Sequence, residues 1–266
     1  MQQLKIIGTV KSEKTRTGPH FPFYSSAQII IKPEYAPALK NLEYNSHIWV
    51  ICLYNPKDKE ELQVKPRRVD HSLGLFGTLA LRTPNHPNPL GLTLVRLIKI
   101  EGNVVHVDKL DAFDGTPVID IKPYYEHDII LSPTMPDIRH TNPEQREIAL
   151  LELAINYHQD KCFGMALAIK MILAVEALGI KTSDDSTVLN VKGGACLADN
   201  LQGLCRARLS NPCRFTFTLS REVCVVWTDP TRTVTVTTKP DVPRTFDEVM
   251  AKSPNDLFFY DVDVVC

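Results

Sequence analysis

The sequence lacks the segments that mark a membrane or exported protein. No apolar run in the 266 residues approaches the ~18 to 20 residues that a membrane-spanning helix needs. The first residues, MQQLKIIGTVKSEKTRTG, have no apolar core of the kind that a signal peptide carries. Internal repeats and low-complexity stretches are also missing. We therefore expect a cytoplasmic protein with no membrane partner.

A disulfide framework and a strong charge are missing too. The seven cysteines are odd in number, and the cytosol keeps thiols reduced, so we expect them to bind metal or to be buried. The formal net charge is −1, with a slight basic excess in the first 141 residues. Nucleic-acid binding would therefore need a local basic patch. The segment QVKPRRVD, with Lys65, Arg67 and Arg68, could supply one or could be a solvated loop.

The first half of the sequence has β-branched runs and little helical periodicity. Turn signals separate these runs, which read LKIIGTV, AQIIIKP, HIWVICLY, FGTLALR, LTLVRLIKI and NVVHVDKL. Only PEYAPALKNLE suggests a helix. Because helical stretches between the runs are too few for a parallel sheet, the pattern predicts a closed or nearly closed all-β barrel.

The pattern changes near residue 142. Asn142 is a candidate N-cap, Pro143 suits the first helical position, and a second apolar helix is predicted to end at Gly179. Strand-like runs follow, among them RFTFTLS, EVCVVWT and TVTVTTK. We expect a β-barrel domain over residues 1–135, a linker over 136–142 and an α+β domain over 143–266.

Two segments of the first half have compositions that strand propensity does not explain. ALRTPNHPNPLGLT, residues 80–93, has a backbone fixed by prolines, and its Arg82 is a planar cation suited to a carboxylate, a phosphate or a carbonyl. LDAFDGTPVIDIKPYY, residues 110–125, would place Asp120, Lys122 and Tyr124 on one face of a strand. A stiff turn and a polar hairpin are the structural alternatives.

These two segments resemble signatures of the TrmO family of transfer-RNA adenosine N6-methyltransferases. The first looks like the family's loop rich in arginine, proline and asparagine, and the second like its LDxxDGTPxxDIKPY signature. The resemblance covers roughly residues 4–135. It implies a β-barrel homodimer that binds S-adenosylmethionine near the subunit interface. It also implies methylation of N6 of threonylcarbamoyladenosine in the anticodon loop of tRNA.

The resemblance assigns candidate site residues as well. The cofactor-binding positions that it implies are Pro22, Tyr24, Asn55, Arg82, Leu92, Asp111, Phe113, Asp114 and Thr116. Methyl transfer from a sulfonium releases a neutral thioether, so positioning dominates the chemistry. Asp120 or Tyr124 could accept the N6 proton or a hydrogen bond from it. Lys122 or Arg82 could hold a carboxylate of the threonine moiety or of the cofactor.

The second half carries a histidine and cysteine motif. YHQDKCFGMALAIK followed by GGACLADNLQGLC resembles the FmdE domain of formylmethanofuran dehydrogenase over roughly residues 145–240. Imidazole and thiolate at such spacing could bind zinc or iron, although free cysteines are commonly buried as small hydrophobes. The matching positions are His158, Cys162, Cys196, Asp199, Gln202 and Cys205. We expect metal ligation by His158, Cys162 and Cys196, with Cys205 or a water completing the shell.

Departures from the TrmO pattern keep other functions open. Residues 22–24 read Pro-Phe-Tyr where the family has proline-arginine-glutamine, and residues 55–56 read Asn-Pro where it has histidine-glutamine. His86 replaces the second arginine of the proline-rich loop. One alternative is a sensor that binds S-adenosylmethionine or metal without methylating tRNA. Another is a methyltransferase that acts on a small molecule, in keeping with a fused domain from one-carbon metabolism.

Overall fold

The structure is a computed structural model that describes residues 4–14, 24–54, 61–66, 69–130, 133, 135 and 138–264. The chain divides into two compact units, Met1–Ile129 and Ile130–Cys266, which we call the barrel unit and the second unit. Within the described ranges, the helices are all too short or too polar to cross a lipid bilayer.

Six strands of the barrel unit form a closed antiparallel barrel in the order β1-β2-β7-β6-β3-β8. A separate short pair, β4 and β5, lies outside that barrel sheet. The strands are β1 (Gly8–Ser12), β2 (Ser25–Ile31), β3 (His47–Leu53), β4 (Gln63–Val64), β5 (Phe76–Gly77), β6 (Leu90–Glu101), β7 (Val104–Leu110) and β8 (Pro117–Pro123). The predicted all-β barrel is therefore confirmed.

The barrel core follows from the two-residue alternation of strand side chains. Along β3, Ile48, Val50 and Cys52 are buried inside the barrel, while the residues between them stay partly exposed. The same alternation on the other strands gives a core of branched aliphatic side chains. Its members include Val10, Ile29, Ile31, Val95, Val105, Val107, Leu110 and Val118. These are the β-branched runs from which the barrel was predicted.

Two predicted elements of the barrel unit differ in the structure. The segment PEYAPALKNLE forms 3-10 turns at Pro33–Leu39 and Leu42–Tyr44. Pro37 lies inside the first turn, where its missing N–H and its ring oppose a regular α-helix. The run FGTLALR contributes only the two residues of β5 and a 3-10 turn at Thr78–Ala80.

One end of the barrel gathers the loops that the sequence singled out. There β1, β3 and β7 end and β2, β6 and β8 begin, as the cross-strand pairs Ser12↔Ala27, Leu53↔Leu90 and Ser25↔Leu110 require. We call this the loop end. The half-buried Tyr54, which follows β3, packs its ring against Gly91 of β6 and donates a hydrogen bond from Oη to the carbonyl of Asp111 at 2.6 Å. Because Gly91 has no side chain, the Tyr54 ring can pack over β6 and connect the loop after β3 with the loop after β7.

We predict that Gly91→Ala destabilises the barrel unit. The added methyl group would overlap the Tyr54 ring, which cannot move without losing its bond to Asp111. Urea unfolding should show a loss of about 1 to 3 kcal/mol, as for other overpacked sites. The matched control is Gly77→Ala, because Gly77 has a φ of −59° and no atom within 4 Å of a Cβ placed there. Equal stability of the two variants would contradict the packing described here.

The second unit is a five-stranded sheet with helices, in the order β10-β9-β11-β12-β13. β9 and β10 are parallel, and the other neighbours are antiparallel. The helices are α1 (Pro143–His158), α2 (Phe163–Ala177), α3 (Ala195–Leu204), α4 (Phe246–Met250) and α5 (Pro254–Leu257). The strands are β9 (Val188–Gly193), β10 (Phe215–Leu219), β11 (Cys224–Thr228), β12 (Arg232–Thr238) and β13 (Phe258–Val264). Helices and strands together agree with the α+β prediction.

The two predicted helices begin and end as their sequence signals indicate. Asn142 caps α1, and its side chain accepts a hydrogen bond from the backbone N–H of Gln145 at 3.0 Å. α2 ends before Gly179, whose φ of +90° suits a residue without Cβ. Every residue from Gly164 to Ile172 is buried, so α2 is the central helix of this unit's core.

Candidate functional site

The loop end of the barrel holds most of the predicted cofactor positions that the structure describes. Arg82 lies in the loop that leads into β6, and its side chain is exposed to solvent. Leu92, on the outer face of β6, is 44% exposed. The others lie just before β2 or between β7 and β8, and they are Tyr24, Asp111, Phe113, Asp114 and Thr116.

The β7–β8 loop is held against the end of β1 by a series of hydrogen bonds. One oxygen of Asp114 accepts from the backbone N–H of Ser12 at 3.0 Å, and the Asp114 N–H donates to the carbonyl of Lys14 at 2.8 Å. Gly115, with a φ of +76°, donates its N–H to the carbonyl of Val10 at 2.9 Å. The Asp114 carboxylate therefore positions the loop through a backbone contact.

Asp111 is the centre of a small polar group at the same end. Its Oδ1 is 3.0 Å from the ammonium group of Lys14, whose side chain is only 8% exposed. Lys14 Nζ also lies 5.4 Å from the centre of the Phe113 ring, a distance suited to a cation–π contact. A carboxylate, a cation and two aromatic rings, Phe113 and Tyr54, thus lie close together around the β7–β8 loop.

Burial keeps two other titratable groups of this region neutral. Burial, together with the nearby charge of Asp111, raises the pKa of the Cys52 thiol to about 12. The same two causes raise the pKa of the Tyr54 hydroxyl above its usual value. Tyr54 therefore stays a hydrogen-bond donor to the Asp111 carbonyl across the neutral pH range.

The three predicted catalytic side chains are spread along the outer face of β8. Asp120 and Lys122 form an ion pair at 2.9 Å, and both are partly exposed. Tyr124 follows β8 and contacts Trp49, with ring centres 6.1 Å apart. Tyr124 is four residues beyond Asp120, which at ~3.3 Å per residue separates them by roughly 13 Å. The structure therefore leaves Asp120 midway along β8 and Tyr124 beyond the end of the strand that is opposite to the loop end.

A second cluster of chemically active side chains lies in the second unit. The ligand atoms of His158, Cys162 and Cys196 are all within 4.8 Å of one another. His158 Nε2 is 3.4 Å from Cys162 Sγ. Cys196 is exposed, whereas the other two side chains are partly buried. One imidazole and two thiols at these separations fit the donors that zinc and iron take.

Helix ends bring these three residues together. His158 is the last residue of α1, Cys162 caps the start of α2, and Cys196 is the second residue of α3. Gly164 allows the close approach of α2 and α3, because a Cβ there would lie 2.7 Å from Leu197 N and 2.8 Å from Cys196 Cβ. Burial and the neighbouring Cys196 thiol raise the pKa of Cys162.

Cys205, the fourth expected ligand, does not join this cluster. Its thiol is fully buried in the hydrophobic core of the second unit, next to Trp227. Burial raises its pKa to about 12, so the thiol is neutral. Cys205 follows Cys196 by nine residues along α3 and its C-cap, which is about two and a half turns at 3.6 residues per turn. The side chains of Cys196 and Cys205 therefore point to opposite sides of the helix. Cys205 is thus a core residue of this fold.

The barrel unit is similar in sequence to known proteins. Residues 11–128 match the family model of the tRNA-methyltransferase O N-terminal domain. A probable S-adenosyl-L-methionine-binding protein of Methanothermobacter thermautotrophicus is 43% identical over 128 residues, which are 47% of this chain and 90% of that protein. The chain belongs to the family of tRNA-methyltransferase O, or TrmO.

Two further relatives are longer than the aligned region. A probable S-adenosyl-L-methionine-binding protein of Archaeoglobus fulgidus is 31% identical over 220 residues, which cover 79% of this chain and 59% of that protein. The tRNA (adenine(37)-N6)-methyltransferase of Mus musculus is 39% identical over 99 residues, which cover 36% of this chain and 22% of that enzyme. The chain thus spans less than two thirds of either relative. The 220 residues aligned with the Archaeoglobus protein are more than the barrel unit contains. The similarity of this TrmO-family chain to that protein therefore extends into the second unit.

Some residues assigned through the TrmO resemblance lie outside the described part of the chain. These are Pro22 and Asn55, and the basic residues Arg67 and Arg68 lie outside it as well. Conversely, Lys14 and Tyr54 contact the TrmO signature loop but were not among the predicted residues. Neither belongs to a recognisable motif, and only the barrel register brings them to Asp111.

Proposed function

We propose that the protein is an S-adenosylmethionine-dependent methyltransferase that modifies N6 of threonylcarbamoyladenosine at position 37 of tRNA. The observation that carries this proposal is the family match over residues 11–128, which includes both signature loops at the loop end of the barrel. The aligned mouse relative has a name that specifies adenine 37 and N6 of tRNA. Such a substrate would place the protein in the cytoplasm.

Several side chains at the loop end could bind S-adenosylmethionine. Its aromatic side chains Tyr24 and Phe113 and the exposed Leu92 could contact the adenosine and methionine portions. Arg82 is exposed and could bind the carboxylate of the cofactor. Asp111 pairs with Lys14, and its half-exposed carboxylate could still lie near the positive sulfonium. Bound there, the cofactor would supply a methyl group on a sulfonium that leaves as a neutral thioether.

Of the proposed catalytic residues, Asp120 is the best candidate to accept a hydrogen bond from the substrate N6–H. It lies on the outer face midway along β8, and Lys122 holds its carboxylate at 2.9 Å. Lys122 could in turn bind the threonine carboxylate of the modified base. Within one chain, Tyr124 lies too far along β8 to contact the same substrate atom as Asp120.

The transfer reaction is tested by incubating the protein with threonylcarbamoylated tRNA and S-adenosylmethionine labelled in its methyl group. Mass spectrometry of the digested nucleosides should find the label on N6 of threonylcarbamoyladenosine.

We predict that Arg82→Ala weakens cofactor binding, measured by calorimetry, by about 10-fold or more, since a charged hydrogen bond contributes about 1.5 to 3 kcal/mol. Arg221→Ala, which removes an exposed arginine from the second unit, should change nothing.

The same assay, repeated with a cell extract in place of the tRNA, separates the alternatives. Cofactor binding without label on any nucleoside would support a sensor that binds S-adenosylmethionine. Label transferred to a small molecule from a cell extract, and not to tRNA, would support a small-molecule methyltransferase. Full binding by Arg82→Ala would place the carboxylate-binding group elsewhere.

We also propose that the barrel forms a homodimer. On its outer face, cross-strand neighbours of β3 and β6 make an apolar surface, with pairs Leu53↔Leu90, Ile51↔Leu92 and Trp49↔Leu94. The three β6 leucines are 40%, 44% and 37% exposed. Contiguous exposed apolar surface of this kind is typical of an interface. A two-fold contact through this surface would place the same residues of both chains in one interface.

We predict that Leu94→Glu separates the dimer into monomers, because it places a charge in the apolar surface. Light scattering at micromolar concentration measures the mass. The control is Leu209→Glu, a change at a leucine that is 62% exposed in the second unit. An unmodified protein that is already monomeric and still transfers the methyl group would contradict a shared site.

A specific observation favours a second function, metal binding by the second unit. We propose that His158, Cys162 and Cys196 hold one zinc or iron ion, because their ligand atoms converge within 4.8 Å. One imidazole and two thiolates would bind the ion, and the cytoplasm would keep the thiols reduced. The resemblance to the FmdE motif supports the same three ligands.

We predict about one zinc or iron per chain in protein purified without chelator, because three protein ligands normally retain an ion. Cys162→Ser and Cys196→Ser should each lower the metal content strongly. Cys213→Ser, a change at an exposed cysteine outside the cluster, should leave it unchanged. Metal-free protein whose thermal stability is the same with and without the cluster cysteines would contradict the proposal.

A further inference from the structure

Asp199 contacts the ring of His158 on the side opposite to the thiols. Its Oδ2 lies 2.5 Å from His158 Nδ1, while the other ring nitrogen, Nε2, lies 3.4 Å from Cys162 Sγ. The His158 side chain is 15% exposed and that of Asp199 is 46% exposed. The two nitrogens of one imidazole therefore have different partners, a carboxylate and a thiol.

This arrangement determines where the imidazole proton resides. A neutral histidine carries one N–H, and an ionised carboxylate can only accept a hydrogen bond. The contact with Asp199 therefore favours the proton on Nδ1. The lone pair of Nε2 is then directed toward Cys162, on the side where the three ligand atoms converge. Histidines that bind metals commonly donate their other N–H to a carboxylate in this way, which fixes the ring and raises its basicity.

Helix geometry explains why Asp199 reaches this position. Asp199 is three residues after Cys196 on α3, so both side chains lie on neighbouring turns of one helix face. Cys196 can thus approach the cluster directly, while Asp199 reaches the far side of the His158 ring. The same helix contributes one proposed ligand and the group that orients another.

We propose that Asp199 is a positioning residue, which holds His158 in the tautomer with a proton on Nδ1 and so presents Nε2 as a metal ligand. This inference rests on the proposed metal site, but the tautomer can be measured without metal. Asp199 itself binds no metal in this arrangement, because its carboxylate is directed to the imidazole.

Two measurements test the proposal with the full chain. Proton–nitrogen correlation NMR of metal-free protein with labelled histidine, assigned with His158→Gln, identifies which ring nitrogen carries the proton. Competition with a chromophoric chelator then measures zinc affinity. We predict that Asp199→Ala gives a mixture of tautomers and weakens zinc binding by about 10- to 100-fold, the usual effect of losing such a partner. Asp199→Asn, which keeps an acceptor oxygen, should have a zinc affinity between that of the unmodified protein and that of Asp199→Ala.

The matched control is Asp160→Ala, which removes the same charge from an exposed residue between α1 and α2. It should keep the Nδ1 tautomer and the zinc affinity of the unmodified protein. An unchanged tautomer in Asp199→Ala, or zinc affinity lowered equally by Asp160→Ala, would overturn the positioning role. Absence of zinc binding by the unmodified protein would instead overturn the metal site.

Discussion

Closure of the barrel depends on the contact between β1 and the β7–β8 loop. β1 and β8 themselves pair over only two residues, Gly8↔Val118 and Thr9↔Pro117. The loop extends this seam, since the Val10 N–H donates to the carbonyl of Thr116 and the Gly115 N–H donates to that of Val10, each at 2.9 Å. Asp114 completes the seam through Ser12 and Lys14. Without these bonds the six strands would form an open sheet with two unpaired edges.

The seam gives the TrmO signature a structural role in addition to the proposed chemical one. Asp114 and Thr116, both assigned to the cofactor by resemblance, bind the backbone of β1 in this structure. Replacing Asp114 would remove its side-chain bond to the Ser12 N–H and weaken the barrel as well as any cofactor contact, so lost activity would not identify its role. Thr116 accepts through its backbone carbonyl, which a substitution keeps. Arg82 is exposed and takes no part in the seam, which makes it the sharper probe of cofactor binding.

The second unit reaches its candidate site by a different route. Its core helix α2 is held by burial, and Gly164 lets α3 approach so closely that two thiols meet at two helix starts. Helix starts favour negative charge, since their first backbone N–H groups lack partners within the helix. Burial and the neighbouring thiol nevertheless raise the pKa of Cys162, so thiolates at Cys162 and Cys196 would depend on the charge of a bound metal ion. The proposed cofactor residues thus lie mainly at the ends of strands and the proposed metal ligands at the ends of helices. The strands and helices themselves form the hydrophobic cores of the two units.

The sequence alone determined the class of each half and the two signature loops. Strand alternation and helix caps act over a few residues, and so β3, the Asn142 cap and α2 could be predicted. The helix around Pro37 and a full strand from Phe76 were predicted wrongly, because Pro37 opposes a regular α-helix and β5 pairs with β4 over only two residues. Only the tertiary structure decided that Cys205 is core, that Lys14 and Tyr54 reach Asp111, and that Asp199 faces His158. These outcomes depend on register and on the close approach of two helices, and residues far apart in sequence fix both.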